Sequence, residues 1–174
     1  MESAPLLTVK PDPEKVRDIL LQAAQLAREY YAETGRPLGI TGEIAEAEAA
    51  TLMGLTLAPP RQEGHDATRI VDGIEQLVQV KGRRFPSPAP GEKPKSMGSQ
   101  KLGRIRRDYP WHVVMVVLLD DCFRPSAIYE ADRAAVEAQL DSTPSKAHKR
   151  GVLSVAEFIR LGPLIWTPPV ASRT

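Results

Sequence analysis

A chain of 174 residues, 42% hydrophobic and 26% charged, fits one globular domain, which typically takes about 100 to 200 residues at roughly this composition. Its longest apolar run, Val113 to Leu119, is far short of the roughly 18 to 20 residues that cross a bilayer, so no membrane partner is expected. The net charge of +1 gives no general attraction to polyanions, although its distribution along the chain is uneven.

The opening Met1-Glu2-Ser3-Ala4-Pro5 has no secretory pattern, so a cytoplasmic location is expected. Lone Cys122 cannot form an internal disulfide, and His65, His112 and His148 lack the spacing of a structural zinc site. Asp12-Pro13-Glu14 predicts a helix start: a capping carboxylate, a proline at the first helical position, and an acid near the positive end. Val16, Ile19, Leu20, Ala23, Leu26, Ala27 and Tyr30 then form one apolar face on a helix over 12–33. Thr34-Gly35-Arg36-Pro37 ends it, and a slim, alanine-rich second helix is expected from Thr41 or Gly42 to about Gly54.

Gly64 to Lys81 predicts a β-hairpin around Asp72-Gly73, a pair that favours the positive φ angles of a tight turn. Between Lys81 and Arg107 nine basic residues oppose only Glu92, a charge run that could contact phosphates, although charge alone favours a solvated loop. The proline and glycine content of Arg83 to Arg107, without periodicity, predicts a long mobile loop, which could also dock a protein partner. Trp111 to Asp120 reads as a central strand covered on both faces, Ser126 to Tyr129 as its neighbour, and Ala131 to Leu140 as a helix. A last helix over Ser154 to Leu161, with Ser154 as cap, precedes a tail expected to fray beyond Pro168. Lys146, His148, Lys149 and Arg150 are expected in a solvated loop.

Alternation along the second hairpin strand places Leu77, Gln79 and Lys81 on one side and Val78 and Val80 on the other. The hairpin brings Asp66 close to Gln79 and Lys81. A carboxylate and an amide oxygen are suitable ligands for Mg²⁺ (or Mn²⁺), and a neighbouring ammonium can orient water or balance phosphate charge. Glu43 on the second helix could add an oxygen, whereas Glu46 is expected at the surface. Each residue also has a structural alternative: Asp66 as a turn former, Lys81 as a strand-end charge, Glu43 as a first-turn carboxylate, and His65 as a hydrogen-bonded structural histidine.

The order Gly42-Glu43, Gly64-His65-Asp66-Ala67, Gln79-Val80-Lys81 resembles the PD-(D/E)XK, or restriction endonuclease-like, nuclease superfamily. It is also similar to a bacterial domain family of unknown function within that superfamily. The resemblance covers about Glu43 to Leu140 and departs from the pattern at Gln79, where an acidic residue is usual. It implies an α/β fold with a mixed central sheet flanked by helices in αβββαβ order. That core would span about 41–140 of a single domain, with an extra N-terminal helix before it and a helical extension over 150–174. It further implies a Mg²⁺-dependent hydrolysis of DNA, with Asp66, Gln79 and Glu43 as metal ligands and Lys81 as a catalytic ammonium. Arg83, Arg84, Lys101, Arg104, Arg106 and Arg107 would then grip the DNA backbone. The alternative is an inactive DNA-binding or protein-interaction module. A homodimer is compatible with either, but no dimer surface is evident from the sequence.

Overall fold

The computed structural model describes residues 12–59, 61–85, 93 and 96–169. Two helices come first, α1 (Pro13–Thr34) and α2 (Thr41–Met53), followed by strands β1 (Thr56–Leu57), β2 (Ala67–Val71) and β3 (Ile74–Arg84). After a 3₁₀ turn at Met97–Ser99 come β4 (Val113–Leu119), β5 (Pro125–Asp132), α3 (Arg133–Ser142), α4 (Lys146–Lys149), α5 (Val155–Leu161) and β6 (Leu164–Trp166). The strands form one six-stranded mixed sheet in sequence order. Only β3 and β4 run parallel; every other neighbouring pair is antiparallel. This is an α/β fold, and none of its described helices is long and apolar enough to cross a membrane.

Local sequence accounts for most element ends. Asp12 accepts the Glu14 N–H at the start of α1, and Asp72 and Gly73 turn the β2–β3 hairpin at φ of 51° and 79°. Ser154 starts α5 with a reciprocal capping box to Glu157. The element order differs from the expected αβββαβ. Among the described residues between β3 and β4 only the 3₁₀ turn is helical, and the longer helices lie before β1 and after β5.

β4 is buried along its whole length and feeds two cores. Val113, Met115, Val117 and Leu119 pack with Val78, Val80, Ile44 and Ala45 on the α2 side. Val114, Val116 and Leu118 pack with Trp111, Val136, Leu153 and Phe158 on the other. Apolar strands that alternate between two covered faces are what such a run predicts.

Three expectations need correction. The single apolar face foreseen on α1 divides: Ala27 is buried, together with Ala24, which that face did not include, whereas Ile19 and Leu26 are 55% and 60% exposed. Next, the described part of the stretch foreseen as a mobile loop is tied into the fold. Arg83 and Arg84 belong to β3, and Leu102 and Ile105 are buried. The backbone of 100–105 is tied to 151–155 through Leu102 N–H to Leu153 O at 2.8 Å and Ile105 N–H to Gly151 O at 2.8 Å. Residues 86–92 and 94–95 of that stretch, and 170–174 of the expected frayed tail, lie outside the described residues. Lastly, His148 is not solvated: it is buried, with Nε2 2.8 Å from Glu157 Oε1.

α2 can lie close to β3 because Gly82 has no side chain. A Cβ there would come within 2.6 Å of Ala45 Cβ and 2.7 Å of the Thr41 carbonyl oxygen. Gly82→Ala is therefore expected to lower unfolding free energy by about 1–3 kcal/mol through overpacking. Urea denaturation checks this, and an unchanged midpoint would contradict the close approach.

Candidate active site

β3 extends beyond its hairpin partner. The β2–β3 register ends at Ala67 opposite Val78, yet β3 continues to Arg84. Gly64, at φ +100° and with the Pro110 ring 2.5 Å from where a Cβ would sit, turns the chain in just before β2. Asp66 N–H then donates to Val78 O at 2.9 Å. Its carboxylate Oδ2 accepts the Val80 N–H at 2.7 Å, replacing the ladder bond that a longer β2 would have made. Lys81 Nζ lies 4.0 Å from the same Oδ2.

Gln79 and Lys81, two residues apart on β3, line one cleft with Asp66, as alternation requires. The cleft, about 380 Å³, is also lined by Arg61, Gln62, Glu63, Gly64, His65, Arg104, Arg106 and Tyr109. Gln79 is 5% exposed, and its Oε1 is buried with no hydrogen-bond partner, as is His65 Nδ1. A buried acceptor without a partner costs about 1–3 kcal/mol, and that cost would be relieved by a bound water or cation. The hydrogen bond foreseen for His65 is thus missing at Nδ1.

Of the α2 acids, Glu46 is the one coupled to this cluster. Glu43 is exposed in the first turn and lies outside the cleft lining. Half-buried Glu46 has its pKa pushed up from 4.5 to about 7, first by burial and then by the negative charges of Asp66 and Glu43, while Lys81 lowers it. Burial lowers the Lys81 pKa, Asp66 and Glu46 oppose that effect, and Arg83 adds to it. The expectation that Glu46 is a plain surface residue is corrected. The available signal was its place inside Ile44-Ala45-Glu46-Ala47-Glu48-Ala49, where every other residue is buried.

The basic residues divide by location. Arg104 and Arg106 line the cleft together with Arg61, which the sequence did not single out. Arg106 pairs with Asp108 at 2.6 Å and lies 4.1 Å from the Tyr109 ring centroid. Arg83 donates to the Lys101 and Gly82 carbonyls, which ties β3 to the 100–105 segment; the Lys101 side chain is exposed and lines no part of the cleft. Arg84 sits near the far end of β3, bonded to Asp121 O at 2.9 Å and 4.3 Å from the Phe123 ring centroid. Arg107 is held by Glu137 O and Asp141. Arg84 and Arg107 are therefore engaged within the fold and stand outside the cleft lining.

The donor set can be tested against a hard cation. Mg²⁺ takes oxygen ligands, keeps several waters and needs only one or two carboxylates. Asp66 and the unpartnered Gln79 Oε1 fit that demand, with Glu46 as a nearby second charge. The acids do not converge into a full protein cage. Among the described residues only Asp120, Asp121 and Cys122 bring three potential ligand atoms within 4.8 Å of one another. That group lies in the β4–β5 turn, and Asp120 Oδ1 already accepts the Cys122 and Arg124 N–H groups. No protein-family model matches the chain, and no curated protein matches it.

Glu46 gives a pH signature with a definite sign. Its folded pKa of about 7 exceeds the ordinary 4.5, so the folded chain holds this proton more tightly, and stability falls as pH rises through that window. Solvent screening limits the effect to about 1 kcal/mol, or roughly 2 to 4 °C in melting temperature. In EDTA, Glu46→Gln is expected to melt higher than wild type by that margin at pH 8, and at nearly the same temperature at pH 5. Equal melting at pH 8 would contradict the burial of this charge.

Proposed function

We propose that the protein is a Mg²⁺- or Mn²⁺-dependent nuclease that hydrolyses DNA phosphodiester bonds at the Asp66–Gln79–Lys81 cleft. The observation that carries this is the meeting of those three side chains in one cationic cleft, with the Gln79 Oε1 buried and unpartnered. The resemblance to the PD-(D/E)XK superfamily rests on the same residues.

The division of labour follows from their surroundings. Asp66 is fixed through Oδ2 to the Val80 N–H, which leaves Oδ1 for a ligand. Gln79 supplies a neutral oxygen acceptor from the floor of the cleft. A bound divalent ion would supply Lewis-acid polarisation of the phosphate and of an attacking water. Lys81, largely withdrawn from solvent and beside Asp66, places an ammonium where charge builds on the phosphoryl oxygens, and a partly desolvated charge acts more strongly there than it would in water. Arg61 and Arg104 line the cleft and would bind flanking phosphates, with Arg106 joining them on exchange of its Asp108 ion pair, an attraction that weakens as salt is raised.

The test is cleavage of supercoiled plasmid and of single-stranded DNA with Mg²⁺ or Mn²⁺. Wild type is expected to cut, and Lys81→Ala and Asp66→Asn to lose about 10²-fold or more of the rate, with melting curves showing that both fold. Cleavage unchanged in both variants would refute the assignment.

A second reading is favoured by one specific feature, the neutral Gln79 in place of an acid. Without that charge the cleft would bind DNA through its cations and leave it intact. DNA affinity with no heat of Mg²⁺ or Mn²⁺ binding in calorimetry, and no cleavage, would select this reading.

A further inference from the structure

α1 carries a second apolar stripe that the other described residues leave largely uncovered, with Val16 and Ala23 half-buried and the rest exposed. Leu20, Ala24 and Ala27 face the α2-side core. About 100° further round the helix, Val16, Ile19, Ala23, Leu26 and Tyr30 recur at alternating spacings of three and four, the repeat of a coiled-coil seam. Ile19, Leu26 and Tyr30 are 55%, 60% and 40% exposed. This helix is already formed and held to α2 through Ala24 and Ala27, which are buried, and through Arg17 to Glu48 at 3.4 Å. A partner laid along it would therefore pay little ordering entropy.

We infer that a second copy of this chain covers the stripe, with α1 packed antiparallel on α1. Charge placement selects both the occupant and the direction. On the open flank of the seam lie Lys15, Gln22 and Glu29, evenly spaced on one side of the helix. Lys15 and Glu29 are equally far along the helix from Gln22. A two-fold axis near Gln22 sets Lys15 against the partner's Glu29 and, by symmetry, Glu29 against the partner's Lys15. A parallel pair would instead set Lys15 near the partner's Leu20 and form no such ion pair. Lys15 has no ion-pair partner among the described residues, and Glu29 accepts only from Gln25 Nε2, at 3.1 Å. The seam from Val16 to Tyr30 is about 20 Å long at roughly 1.5 Å per residue. A seam of that length is short, which places the association among weak, reversible interfaces. The inference does not depend on the nuclease assignment, because none of these residues lines the cleft.

Sedimentation velocity of the full chain from about 1 to about 300 µM, a range that brackets a micromolar dissociation constant, should show the mass rising from monomer to dimer. Leu26→Lys and Ile19→Lys, both at exposed positions and with circular dichroism unchanged, should each raise the dissociation constant by roughly tenfold or more. Lys15→Glu and Glu29→Lys should each weaken the dimer, and the combined variant should restore it. A monomer at every concentration would overturn the inference, as would an oligomer that Leu26→Lys leaves intact, or a combined charge swap no tighter than its single variants.

Discussion

Where β2 stops and β3 continues, the backbone N–H of buried Val80 has lost its neighbour, and the carboxylate of Asp66 takes its place at 2.7 Å. Leaving such a group unpaired is costly, so this bond holds Asp66 in register with Val80. Gln79 and Lys81 flank Val80 in sequence, and alternation turns both to the opposite side of β3 from the Val78–Val80 core. A single main-chain to side-chain hydrogen bond thus positions an acid, an amide and an ammonium together. It uses one carboxylate oxygen and leaves the other available.

The surroundings give that cluster its electrostatic character. Gly82 lets α2 settle against β3, which brings Glu46 close enough to interact with Asp66 and Lys81. From the other face the 100–105 segment is tied to 151–155, and Arg83 grips the Lys101 carbonyl. The Ser154–Glu157–His148 network, in which Ser154 and His148 are buried, anchors this arrangement. Burial alone would raise the Glu157 pKa, but hydrogen bonds from Ser154 and the proximity of His148 outweigh it and hold the carboxyl down at about 2. That acid therefore stays ionised as a fixed acceptor, and Arg104 and Arg106 are carried to the cleft lining on a supported segment.

Features set by neighbours in sequence were readable without coordinates. Asp72-Gly73 defined the hairpin, Asp12 and Ser154 marked helix starts, and the β-branched run of β4 identified the central strand. The convergence of Asp66, Gln79 and Lys81 followed from strand alternation and one tight turn. Features set by distant packing were not readable. Leu102 and Ile105 sit in a proline-flanked basic stretch whose order depends on partners some fifty residues away in sequence. Arg84 and Arg107 looked like phosphate contacts until Asp121, Phe123, Glu137 and Asp141 claimed them. The choice between Glu43 and Glu46 turned on how α2 rolls onto β3, which Gly82 controls and no helical periodicity reveals. The α1 seam is not separable in the sequence, because its residues interleave with Leu20 and Ala27, which face α2, into one continuous apolar pattern.

The most direct measurement is the anomalous scattering of Mn²⁺ in crystals of the protein soaked in that ion. The account predicts a peak within coordination distance, about 2.0–2.3 Å, of Asp66 Oδ1 and Gln79 Oε1, lost in Asp66→Asn. A peak confined to the Asp120–Cys122 turn, or none at the cleft, would contradict it.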